Sequence, residues 1–311
     1  MKYKLTAVLI LISLYIVIIN CSPPLYLTFT QPAGSPEYAD TLYKVSVTRD
    51  GKGYSLTMLG YDGAKQVSER PNWNKLLIVS FRSADGFLSV KKYPLPHIKH
   101  SIEHVDGNDL VKTDKRLSTF ALNTGLAQLT LTPPGFYGST GREEVTFTRD
   151  GIKIMSKAVE KLVDDFGAES VIIVGGSHPG NIAAGVMSFY SKPIHCAIIS
   201  SAPLDLNSPY RNLPFQDYSL RTPTPFNPIA WVSKIPHDDN RTIYIAYSKK
   251  DLVVDWRMTS VYADKLTEKG YRVIVEESPP SENRYFHDQS LWHYYKIKAC
   301  AESWHNRTNG D

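Results

Sequence analysis

The chain has 311 residues, 42% of them hydrophobic and 21% charged, with a formal net charge of +4. That length can bury a substantial core, and the balance is ordinary for a globular protein. Lysines and arginines are scattered with no concentrated basic patch, which excludes nucleic acid as the main partner.

The first segment reads as a leader rather than as part of a fold. MKYK is a short positive stretch, and LTAVLILISLYIVII is an apolar run of fifteen residues followed by Asn20, Cys21 and Ser22. A membrane-crossing helix needs about twenty apolar residues, so a secretory signal over residues 1–21 is the better fit. Ile18-Ile19-Asn20-Cys21 resembles a bacterial lipoprotein box, with Asn20 where Gly, Ala or Ser is usual. The expected product is exported: secreted, periplasmic, or held at a membrane by lipid on Cys21 or by an uncleaved anchor. Beyond Cys21 only Cys196 and Cys300 remain, too few for a disulfide scaffold. Two buried thiols and a single bridge both fit them.

Residues 22–311 read as one domain. After a Pro-rich stretch, residues 43–49 alternate, Asp50-Gly51 supplies a turn and 54–60 return, a hairpin pattern. LLIVSF (76–81) is a short apolar run of the kind buried on both faces of a sheet. A helix is expected around 114–124 and a strand over AQLTLT (127–132). Helical spacing then puts Ile152, Met155, Val159, Leu162, Val163 and Phe166 on one stripe of 149–166. VIIVG (171–175), IHCAIIS (194–200), TIYIAY (242–247) and YRVIVEE (271–277) are the remaining strands. Helices are expected at 181–190, at 257–269 with Gly270 as its stop, and at 288–300. A hairpin leading into strand–helix alternation implies a mostly parallel, twisted sheet with helices on both faces.

Residues 203–241 interrupt that alternation. The segment carries seven prolines with Tyr210, Phe215, Tyr218, Phe226 and Trp231, and shows no periodicity. It reads as a lid or pocket wall, with a packed surface excursion as the alternative.

Between a strand and a helix stands VIIVGGSHPGNIAAG, residues 171–185. A serine on such a turn is held above the sheet edge, with a helix N-terminus beneath it. Gly175 lets strand and helix approach closely. The pattern Gly-x-Ser-x-Gly wants glycine at 179, where this chain has Pro179, followed by Gly180. Proline is welcome in a first helical turn but pushes the residue before it, His178, away from helical angles. The N–H that an oxyanion needs belongs to His178 and survives. A purely structural turn would explain the motif equally well.

The surroundings sharpen it. PPGFYGST (133–140) lies about forty residues before that serine, and GGSHPGNIAAG is followed by IISSAP. With these motifs the chain resembles the α/β-hydrolase superfamily over nearly its whole length beyond the leader. The Gly-Gly-Ser turn is similar to that of serine exopeptidases such as prolyl aminopeptidases and Pro-Xaa carboxypeptidases, without the long helical insert of the latter. The resemblance implies an α/β-hydrolase fold with the Pro-rich segment as a short lid, and Ser177 as nucleophile.

A serine hydroxyl needs a base, and the base an orienting carboxylate. YSKKDLVVDW offers Asp251, in an Asp-x-x-Val pattern with Val254 that matches the superfamily; Asp255 is the alternative. RYFHDQ offers His287 as base, whereas His293 reads as packed among aromatic neighbours in the last helix. The order Ser177, Asp251, His287 is the one this fold uses. The second oxyanion donor is expected from the N–H of Phe81 or Arg82, after LLIVSF; Arg82 could alternatively select acidic substrates or simply cap a loop.

His97, His100 and His104 have a spacing that can ligate zinc, but a solvated polar face is the preferred reading. His195 reads as structural. No dinucleotide fingerprint, phosphate loop or Cys-x-x-Cys is present, so no cofactor and no metal are expected. The leading expectation is an exported serine hydrolase of a small ester or acyl substrate. A serine exopeptidase and a non-catalytic exported binding protein of the same fold are the alternatives.

Overall fold

A computed structural model of the chain describes residues 41–62, 75–81, 126–135, 139–209, 224–277, 287 and 289–310. The leader and Cys21, the 114–124 helix, Arg82 and the histidines at 97, 100 and 104 lie outside the described residues.

Among the described residues eight strands form one sheet: β1 (Thr41–Arg49), β2 (Lys52–Asp62), β3 (Leu76–Phe81), β4 (Ala127–Leu131), β5 (Ser170–Gly176), β6 (Ile194–Ser200), β7 (Thr242–Tyr247) and β8 (Val273–Glu277). Their order is β1-β2-β4-β3-β5-β6-β7-β8. β1 and β2 are antiparallel, β2 runs antiparallel to β4, and β3 to β8 are mutually parallel. The hairpin turns on Asp50 (φ 49°) and Gly51 (φ 75°), both left-handed, as a two-residue turn matched to strand twist requires.

The helices are α1 (Arg149–Asp165), α2 (His178–Phe189), α3 (Trp256–Glu268) and α4 (Ser290–Asn309), with a one-turn helix at Glu143–Thr146 and a 3-10 helix at Pro228–Lys234. Alternation along each strand sends side chains to two cores. Val171 and Ile173 join Ile152, Met155, Ile182 and Tyr262 on the face packed by α1, α2 and α3. Ile172 and Val174 join Trp292, Ile297 and Trp304 of α4 on the other. Being covered on both sides explains why the middle of β5 and of β6 is a continuous apolar run, Val171–Val174 and Cys196–Ile199.

Some boundaries differ from the sequence expectation. α2 begins at His178, not near 181: Pro179 lies inside its first turn, and His178 is helical despite preceding a proline. The last strand starts at Val273 rather than 271. α4 runs on to Asn309, well past 300, and stops at Gly310, whose φ of 77° gives the left-handed cap. Cys196 in β6 and Cys300 in α4 form a disulfide with Cα atoms 6.2 Å apart, so the single-bridge alternative holds over two thiols. His195 beside it is buried, donating from Nε2 to the carbonyl of Cys300 at 2.9 Å and lying 2.8 Å from Ser303 Oγ.

Of the Pro-rich insert, residues 203–209 and 224–241 are described, and they pack closely. Phe226 is buried, its N–H bonds the carbonyl of Phe147, and its ring sits among Phe189 and Trp231 at 5.9 and 5.8 Å. Residues 210–223, where a lid would be centred, lie outside the described residues.

Candidate active site

Ser177 stands between the last residue of β5 and the first of α2, with φ 58° and ψ −133°. A non-glycine residue there costs about 1–3 kcal/mol and persists only where its surroundings impose it. The glycines around it are steric requirements. A Cβ on Gly175 would lie 2.3 Å from the carbonyl oxygen of Pro179, a backbone clash that cannot relax. A Cβ on Gly180 would lie 2.5 Å from that of Ala202. The close approach on the helix side therefore falls on Gly180, one residue beyond the familiar pattern, which is why Pro179 is accommodated. Pro179 also lacks an N–H to offer, while His178 and Gly180 retain theirs. The N–H of Gly180 bonds the carbonyl of Ser177 at 3.0 Å. The His178 ring is buried and stacks at 5.4 Å from Phe147.

Asp251 follows β7, and its carboxylate is held at both oxygens. Oδ1 accepts the N–H of Val253 at 2.8 Å and of Val254 at 3.0 Å. Oδ2 accepts Nδ1–H of His287 at 2.8 Å. The Asp251 side chain is 1% exposed and that of His287 18%. A buried carboxylate with three donors is fixed in place, and its bond to Nδ1 orients the imidazole. Asp255, the alternative acid, is engaged elsewhere. It caps α3 through the N–H of Arg257 and pairs with that guanidinium at 2.8 and 2.6 Å. Arg257 holds its carboxyl below the usual range.

Ser177, Asp251 and His287 all lie past the carboxyl ends of parallel strands, hence on one edge of the sheet, where open α/β sheets bind ligands. A second observation brings the segments together. His287 leads into α4, and His293 in the first turn of that helix meets the serine turn: a Cβ on Gly176 would be 2.9 Å from its Cε1. Phe81 ends β3, the strand beside β5, with Ser80 in register with Val174. That register puts Phe81 beside the end of β5 that leads into the Ser177 turn. His293 had been read from sequence as packed among aromatics. Trp292 is indeed 5.7 Å from it, and it also meets Gly176 and Ser200, whose Oγ lies 2.7 Å from Nε2. Neither partner was legible without the strand order.

Among the described residues no group of three or more His, Cys, Asp or Glu side chains could hold a metal ion, and no helix is long and apolar enough to cross a membrane.

Compared by sequence, the chain matches no family model and no curated protein. Compared by structure, it is similar to the esterase Pf2001 of Pyrococcus furiosus, with 12% identity, a TM-score of 0.56, and 87% of this chain and 94% of that one covered. It is also similar to the esterase Est2 of Thermogutta terrifontis, with 13% identity, a TM-score of 0.52, and coverage of 83% and 92%. A lipase/esterase from Lactobacillus plantarum gives 10% identity, a TM-score of 0.51, and coverage of 84% and 99%. With the strand order, the parallel core and the strained serine turn after β5, these likenesses show that the chain has the α/β-hydrolase fold.

Proposed function

We propose that the chain is a serine hydrolase that cleaves a small carboxylic ester or acyl substrate through Ser177, His287 and Asp251. The observation that carries this reading is the half-buried Asp251–His287 hydrogen bond on the sheet edge that also bears the strained serine. Ser177 Oγ attacks the substrate carbonyl carbon while His287 Nε2 takes the hydroxyl proton. Negative charge develops on the former carbonyl oxygen, where the N–H of His178 donates, joined by that of Phe81 or Arg82. Asp251 stabilises the imidazolium without taking its proton. The intermediate collapses, the alkoxide leaves with the proton from His287, and an acyl-serine remains. Water then attacks that acyl carbon with His287 again as base, releasing the acid and restoring the hydroxyl. No step calls for a metal or cofactor.

The ester preference draws on the esterases among the structural likenesses. We further read residues 1–21 as an export signal, with Cys21 as a point of lipid attachment if the protein is held at a membrane.

A fluorophosphonate probe applied to the purified full chain tests the reading. The wild type should label and Ser177→Ala should not, and 4-nitrophenyl acetate or butyrate should turn over faster than aminoacyl nitroanilides. Faster anilide cleavage would make the protein an exopeptidase. A wild type that neither labels nor cleaves would make it a binding protein of this fold.

A further inference from the structure

Ser200 is the last residue of β6 and lies opposite Gly176 in the sheet register. Its carbonyl accepts the N–H of Ser177 at 2.9 Å, so its backbone grips the strained residue directly. Its side chain is gripped in turn: Ser200 is 0% exposed, and its Oγ lies 2.7 Å from Nε2 of His293. The same imidazole lies over the residue before the serine. A Cβ on Gly176 would meet His293 Cε1 at 2.9 Å and Ser200 Oγ at 3.0 Å. Glycine at 176 is thus what lets the ring settle on the turn.

An apolar ring would fill that space without the desolvation cost of a buried hydroxyl and a half-buried imidazole. The polar pair does what an apolar ring cannot, since its hydrogen bond sets where Ser200 stands and so where its carbonyl points. Ser200 is not itself a second nucleophile, because no substrate carbonyl can reach a fully buried hydroxyl. Farther along the same strand and helix, the Cys196–Cys300 bridge makes a second attachment between β6 and α4.

We propose that Ser200 and His293 are positioning residues for the nucleophile, clamping the backbone of Gly176 and Ser177 in the geometry that attack requires. This rests on Ser177 being the nucleophile, and a misplacement of about 1 Å can cost about 100-fold in rate.

The test uses the full chain with His293→Phe, which keeps a ring but loses the hydrogen bond, Ser200→Ala, which removes only the hydroxyl, and His293→Gln, which restores a polar end. Hydrogen exchange of the peptide spanning residues 171–182 is read beside fluorophosphonate labelling, kcat and KM on a nitrophenyl ester, and melting temperature. The expected result is faster exchange in that peptide for His293→Phe and Ser200→Ala. With it go labelling and kcat reduced at least about tenfold, KM within about twofold, and part of both recovered in His293→Gln. Wild-type exchange in both variants overturns the clamp, as does faster exchange with unchanged labelling. If His293→Phe does not fold, the milder Ser200→Ala decides. A wild type that never labels defeats the hydrolase reading, and exchange in the peptide then still decides whether the pair holds the turn.

Discussion

Replacing Asp251 by Asn tests the proposed mechanism at its most constrained atom. The carboxylate takes two backbone N–H groups on Oδ1 and the His287 Nδ1–H on Oδ2. Asparagine has one acceptor end and one donor end. The two backbone donors, from Val253 and Val254, can be satisfied only by the amide oxygen, so the NH2 group must face His287. Nδ1 then has to accept, which moves the ring proton to Nε2, the atom that should receive the serine proton. The geometry survives and the tautomer is wrong, a change that costs about 10⁴-fold in kcat where it has been isolated in triads. At about 1.36 kcal/mol per factor of ten, that is roughly 5 kcal/mol of transition-state stabilisation. All three hydrogen bonds remain, one reversed and all without the carboxylate charge, so folding should suffer far less, by about 1–3 kcal/mol. Steady-state hydrolysis of a nitrophenyl ester, with urea unfolding on the same preparation, separates the two quantities. A variant that keeps more than about a tenth of wild-type kcat would refute the assignment of His287 as the base held by Asp251.

Two further outcomes concern stability. The Cys196–Cys300 bridge closes a loop with a sequence separation of 104, for which chain entropy gives about 4–5 kcal/mol. Cys196→Ala/Cys300→Ala should therefore lower the urea-unfolding free energy by that order, and a loss under about 1 kcal/mol would contradict it. Burial of His195, with Arg307 nearby, lowers its pKa to about 4, so the folded ring is neutral where the unfolded one, near 6.5, takes a proton. The contribution is complete above about pH 6.5 and is lost as pH falls towards about 4, by up to roughly 3 kcal/mol. Urea midpoints measured from pH 7 to 4.5 should fall less steeply in His195→Asn than in wild type.

How much of this was legible in the sequence follows from what each feature depends on. Strands buried on both faces announce themselves as unbroken apolar runs, and LLIVSF, IHCAIIS and TIYIAY match β3, β6 and β7 residue for residue. Helix ends were less legible. α2 starts three residues before its expected position because Pro179 sits in the first turn, where a missing N–H costs nothing. The last turns of α4 carry no regular stripe, with Ala301 and Trp304 the buried residues among those described beyond 300, so its end is not marked in the sequence. The choice of Asp251 over Asp255 rests on capping: one carboxylate serves an imidazole and the other a helix end and Arg257. The disulfide and the His293–Ser200 contact depend on which strand α4 covers, and spacing along the chain does not carry that. The expected donor Arg82 and the middle of the Pro-rich insert lie outside the described residues.

The placement of α4 also bears on how the molecule is made. One side of β3, β5 and β6 is sealed by Trp292, Ile297, Cys300 and Trp304, all contributed by the helix that is translated after every strand of the sheet. A nascent chain that has already paired those strands still presents a bare, greasy surface until this helix leaves the ribosome, a condition that favours sticking to other chains. Low temperature during expression, or a holding chaperone, should help most in that interval.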